Sequence, residues 1–191
     1  MKPPFRLPLF FLLGGLTALS APSFAQSEAA NQPVEKAAPE LGEVQPAGPV
    51  LKRGDQRLIK KITACGAYEL AISRQAVTRA THAEVRAYAE TVVRSLELMN
   101  GELATLAKHR GAKIVIEHKQ ADDVAELAKK TGDDYDEDYL EEIIDAHEDA
   151  IALLEKGAKS ADTDVAAFSV HCLARVQDHL VRARQLEKQI D

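Results

Sequence analysis

Four stretches of this chain repeat apolar residues at three- and four-residue steps. The first, from about Asp55 to Ala80, carries the seam Leu58, Ile62, Cys65, Glu69, Ile72 and Ala76. The second, from about Thr81 to Arg110, carries Val85, Tyr88, Val92, Leu96, Met99, Leu103 and Leu106. A third, from about Asp136 to Lys159, aligns Tyr139, Ile143, His147, Ala150 and Leu154. The fourth, from about Thr163 to Ile190, aligns Val165, Phe168, Cys172, Val176, His179, Ala183, Leu186 and Ile190. This spacing predicts amphipathic helices, and four such seams bury one another as an all-α four-helix bundle over residues 54–190.

Between the second and third helices the connection, from about Gly111 to Asp134, is far longer than the ~2–8 residues that neighbouring antiparallel helices need. It is long enough to travel the length of the bundle and to hold a short helix near Asp122 to Lys130. The expectation is therefore a crossover that makes helices two and three parallel, as in ferritin-like bundles, with a hairpin loop as the alternative.

Ahead of the helices the pattern changes twice. Residues 1–25 place Lys2 and Arg6 before the apolar run Leu7 to Leu19, then end on Ala21, Pro22, Ser23, Phe24 and Ala25. That is the three-part arrangement of a secretory signal peptide cut after Ala25, and the run is shorter than the ~20 apolar residues a membrane span needs. The expectation is a periplasmic or secreted protein with no stable span once the leader is gone. Residues 26–53 are rich in Ala, Pro, Glu and Gln without periodicity, which predicts a disordered linker. No cysteine follows the apolar run as an attachment point for lipid.

Composition sharpens this picture. With 191 residues and 46% hydrophobic character the chain suits one domain with a real core. The formal net charge is −6, and removing the leader takes away two cations and no acid. An acidic chain with no basic stripe argues against nucleic acid and anionic lipid as partners.

Glu69, His147 and His179 interrupt apolar seams. Counting from the helix ends places the three near one height in the core, with Leu96 at the fourth corner. A buried carboxylate and two imidazoles cost several kcal/mol (an order-of-magnitude figure) unless they satisfy one another. Two readings stay open: a single Zn or Fe ion held by Glu69, His147 and His179, and a hydrogen-bonded cluster that fixes helix register. A di-iron centre needs a carboxylate three residues before each histidine, and those positions are Ile144 and Val176.

Several matching stretches resemble the exported helical family catalogued as domain of unknown function 4142, whose members are described as ferritin-like. They are Gly66-Ala67-Tyr68-Glu69-Leu70, Val85-Arg86-Ala87-Tyr88-Ala89, Tyr135-Asp136-Glu137-Asp138-Tyr139, His147 with Ile151, and His179 with Leu180. The similarity runs from about Asp55 to Lys188. That family usually carries an Asp-His pair several residues before an Asn matching Asn100; here the pair reads Ser95-Leu96. If the family's buried Glu and His residues make a site, this chain lacks one corner of it.

Cys65 and Cys172 sit at matching heights on helices one and four, so a disulfide and a pair of reduced core thiols are both open. The alternation Asp134, Asp136, Asp138 suggests calcium, but Tyr139 stands where an EF-hand needs Gly and Asp145 where it needs Glu. Those acids read as the capped, solvated start of helix three. His82, His109, His118 and His171 lack partners at ligand spacing. Taken together, the sequence leads to an exported helical-bundle protein, more readily a non-enzymatic envelope or interaction protein than an enzyme. The alternative is a ferritin-like mononuclear metal-binding or redox protein centred on Glu69, His147 and His179.

Overall fold

Helix α1, Arg53–Arg79, turns back at Ala80 to Thr81 into α2, Ala83–His109. The computed structural model describes residues 48–112 and 121–190; the expected leader and residues 26–47 of the expected linker lie outside them, as does His118. The chain continues through the short α3, Ala121–Leu127, then α4, Asp133–Gly157, and α5, Thr163–Ile190. All five elements are helices, and no strand occurs among the described residues.

Contacts between named residues fix the directions. Arg74 on α1 meets Glu97 on α2, and Gly66 meets Asn100, so the two helices are antiparallel. On the other flank of α1, Ser73 faces Tyr139, Glu69 faces His147 and Asp55 faces Ser160 just beyond α4, which makes α4 antiparallel to α1 as well. Arg184 of α5 pairs with Glu148, and Ser169 lies against Gly157, giving α5 the direction of α1. Thus α2 and α4 run the same way, so the end of α2 and the start of α4 lie at opposite ends of the helices. Helix α3 lies on the end of α1, where Gln75 Nε2 donates to Val124 O at 3.0 Å and Arg79 donates to the carbonyls of Ala128 and Lys130.

Two apolar clusters fill the interior. One joins Ile72, Val85, Val92, Leu96, Leu140, Ile143 and Leu186 with all four tyrosines of the chain. The other joins Leu58, Ile59, Ile62, Met99, Leu103, Leu154, Phe168 and Val176. Leu51 belongs to this second cluster and is 3% exposed; Gly48 N donates to His109 O at 3.2 Å. The last residues of the expected linker are therefore packed against the end of α2, and the first helix starts at Arg53.

Close helix approach depends on small residues. A Cβ on Gly157 would sit 2.1 Å from Ser169 Oγ, so α4 and α5 touch backbone to side chain there. Gly132 precedes α4 with φ of 68°, a left-handed conformation that glycine adopts without steric cost.

Candidate functional site

Glu69 and His147 lie between the two apolar clusters, at 1% and 0% exposure. Their positions on the inward stripes of α1 and α4 follow from the spacing Glu69–Ile72–Ala76 and Ile143–His147–Ala150. Glu69 Oε1 is 3.0 Å from His147 Nδ1, and Tyr88 Oη from α2 is 3.0 Å from His147 Nε2. Three helices thus contribute one unbroken chain of hydrogen bonds.

The tyrosine hydroxyl keeps its proton. Burial pushes the Tyr88 hydroxyl up, well beyond the ordinary phenol range, with Tyr139 and Glu69 adding to it. A protonated Tyr88 has one proton to give, to His147 Nε2 or to the carbonyl oxygen of His179, and the tautomer of His147 decides which. Tyr88 Oη also lies 3.3 Å from the carbonyl oxygen of His179. On the other side, Cys65 Sγ is 3.8 Å from Glu69 Oε1 and 3.4 Å from the carbonyl of Ala146.

His179 stands beside this chain without joining it. Its ring centroid is 5.6 Å from that of His147, and its Nδ1 is buried with no hydrogen-bond partner. Burial first, and the neighbouring His147 second, push its pKa down to about 4, so it is neutral at physiological pH. Its other flank lines a surface cavity of 430 Å³ with Tyr88, Glu84, Asp178 and Arg182.

The three residues singled out by sequence are therefore brought together, but only Glu69 and His147 are bonded. No group of three or more His, Cys, Asp or Glu among the described residues is arranged to hold a metal ion. Leu96 borders Glu69, Gly66 and Asn100 around a cavity of 20 Å³, room for about one water. The polar fourth member is Tyr88, one of the seam residues. A buried tyrosine hydroxyl needs a partner, and that requirement was the available signal.

The expectations for the acidic run and for His82 need correction. Asp136 is not part of a solvated helix start: it is 0% exposed and caps a different helix. Its carboxylate accepts from Thr81 N at 3.0 Å, His82 N at 2.7 Å and Thr81 Oγ1 at 2.9 Å, and it pairs with His82 Nδ1 at 2.8 Å. This single side chain satisfies the start of α2 from α4 and gives His82 a partner that spacing in sequence did not reveal. Cys65 and Cys172 are both free thiols. Cys65 turns toward Glu69 and α4, while α1 and α5 occupy opposite corners, α1 packing on α2 and α4 and α5 on the same two helices. Burial pushes both thiols up, Cys172 to about 12, so neither is a ready nucleophile.

His171 reaches Glu102 at 3.9 Å on the surface, and His109 lines a separate outer groove.

Comparison with known proteins extends the geometry. No curated protein matches the chain at a significant level. Among solved structures, a DUF305 fragment from Deinococcus radiodurans superposes with a TM-score of 0.67 at 12% identity, covering 74% of this chain and 99% of that one. CopM in its Cu(II)-bound form gives 0.61 at 16% identity over 71% of this chain and 96% of that one. CopM in its Ag-bound form gives 0.56 at 15% identity with the same coverage of both chains. These likenesses are of fold. The profile described as Domain of unknown function (DUF4142) matches residues 40–186, most of the chain, and the protein belongs to that family.

Proposed function

We propose that this is an exported four-helix bundle protein of ferritin-like connection that works by interaction and not by catalysis, with Tyr88, His147 and Glu69 serving as a buried tie between three helices. The observation that carries this reading is that both ring nitrogens of His147 are already used, one by Glu69 and one by Tyr88. A general acid–base group or a metal ligand needs a nitrogen turned toward a substrate or ion, and His147 has none to spare. The leader at residues 1–25 supports export to the periplasm or beyond. The test is elemental: the purified protein, His147→Ala and His179→Ala are measured for Zn, Fe, Mn and Cu. Metal at background in all three agrees with a structural tie; a stoichiometric ion lost with either histidine overturns it.

A second reading has its own observation. His179 Nδ1 is buried, neutral and unpartnered next to His147, and the fold is shared with CopM, known in Cu(II)- and Ag-bound forms. A mononuclear ion, Zn or Fe among the candidates, would draw on Glu69, His147 and His179. As arranged these residues do not form a ligand set, because His147 Nε2 would first have to release Tyr88. No chemical step is derived through such an ion.

A further inference from the structure

We propose that the cleft between the first turns of α1 and the C-terminal end of α4 binds a polyvalent anion of the phosphate type, presented as a soluble phosphate or as a lipid headgroup. The cleft encloses 520 Å³ and is lined by four cations, Arg57 and Lys61 from α1, Lys156 from the last turn of α4 and Lys159 just beyond it. None of the four has a carboxylate partner among the described residues. Several cations elsewhere on the protein are tied: Arg74 to Glu97, Arg110 to Asp162, Lys130 to Asp138 and Arg184 to Glu148.

Acids outnumber bases 30 to 24 in this chain, so available carboxylates are not scarce. Four unpaired like charges around one concavity repel one another, and that repulsion is relieved by an anion seated between them. Asp55 is the one carboxylate among the lining residues, and it accepts a hydrogen bond from Ser160 Oγ at 2.7 Å. It offsets one of the four charges and leaves a positive excess.

Two further features fit the ligand's shape. Lys52, at the N-cap of α1, makes no side-chain cap, and a Cβ on Gly54 at the rim would meet nothing within 4 Å. The positive end of a long helix is thus open at the cleft, beside the cations. Leu58 and Leu153 supply an apolar floor. An arginine fork and three lysine point charges suit a tetrahedral group with several negative oxygens better than a single carboxylate. The cluster escaped the sequence because its members come from two segments far apart in the chain.

The experiment has two arms on the full protein. In the first, pyrophosphate is titrated against ¹⁵N-labelled protein. In the second, vesicles of phosphatidylcholine, with and without phosphatidylglycerol, are tested for co-sedimentation. Each is repeated with Lys61→Glu/Lys156→Glu and with Arg94→Glu/Lys129→Glu, which makes the same change in charge at distant exposed positions. Folding is checked by circular dichroism, with Lys61→Gln/Lys156→Gln as the milder substitute. The expected result is saturable shifts at the amides of Gly54, Asp55 and Ser160, weakened about tenfold or more in the cleft variants only and declining with added salt. Response to pyrophosphate alone identifies a soluble anion, and response to phosphatidylglycerol vesicles identifies a headgroup. Absence of both responses, or equal losses in the distant control, overturns the proposal.

Discussion

The two ends of this protein are built on the same helical spacing and filled with different chemistry. In α2 the inward residues Val85, Tyr88, Ala89, Val92 and Leu96 recur step for step in α5 as Val165, Phe168, Ser169, Cys172 and Val176. At the first end Tyr88 reaches His147, Tyr139 donates to Ser73 at 3.2 Å, Tyr68 donates to Glu142 at 2.5 Å, and Asp136 holds the start of α2. At the second end Phe168 packs among Leu, Ile and Met, and the buried hydroxyls of Thr63 and Ser169 return to the carbonyls of Ile59 and Val165 in their own helices. One end specifies its register by directional bonds between helices. The other fills its interior by shape, with small residues such as Gly157 setting the distance, and keeps its directional ties, Arg110 to Asp162 and Ser160 to Asp55, outside that apolar packing.

The contrast predicts how each end fails. The largest effect is expected at the polar end from Asp136→Ala, which strips partners from Thr81 and His82 at once. A loss of about 3–5 kcal/mol in denaturant unfolding is expected, because several hydrogen bonds to an ionised acceptor, each contributing about 1.5–3 kcal/mol, are lost together with the cap of α2. Next comes Leu154→Ala at the apolar end, 1% exposed, where a cavity replaces packed atoms at a cost of about 2–4 kcal/mol. The two ends should also differ in kind: Asp136→Asn should recover part of the Asp136→Ala loss, whereas no polar substitute should rescue Leu154.

A smaller pair exchanges the matched positions. Tyr88→Phe removes the hydroxyl from His147 and is expected to cost about 1–2 kcal/mol, while Phe168→Tyr adds a hydroxyl among apolar neighbours and is expected to cost about 1–3 kcal/mol. Equal tolerance of tyrosine and phenylalanine at both positions would erase the distinction between the ends.

A further expected effect is a pH dependence. His179 is held neutral down to about pH 4 in the folded protein, whereas its unfolded value is 6.5. The unfolded chain therefore takes up a proton first as pH falls, and the contribution of this histidine to stability is present above pH 6.5 and lost progressively toward pH 4. His179→Gln should flatten that part of the stability profile measured by denaturant titration. An unchanged slope between those values would show that His179 is not the group responsible.

The periodic parts of this architecture were legible in the sequence. Apolar spacing located the four long helices, with the last at Thr163 to Ile190, and the long connection implied the shared direction of α2 and α4. Polar residues on apolar seams also led to Glu69 and His147, because burial forces such groups to find each other. What the pattern could not carry was direction across helices. Tyr88 was visible as a seam residue, but nothing in its spacing says that its hydroxyl points at α4. Asp136 was hidden in a run of acids that reads as solvated, although Leu140, Ile143 and His147 follow it along the same face. Cys65 and Cys172 share a height, but matching heights do not bring opposite corners into contact.

The closed state of His147 can be read most directly from the ¹⁵N resonances of its ring during titration with Zn(II). The structure predicts two ring nitrogens that are both hydrogen-bonded, to Glu69 and to Tyr88, and no change in either signal at one equivalent of ion. A shift of His147 together with His179 at that point would show an open ligand pair and contradict the buried tie.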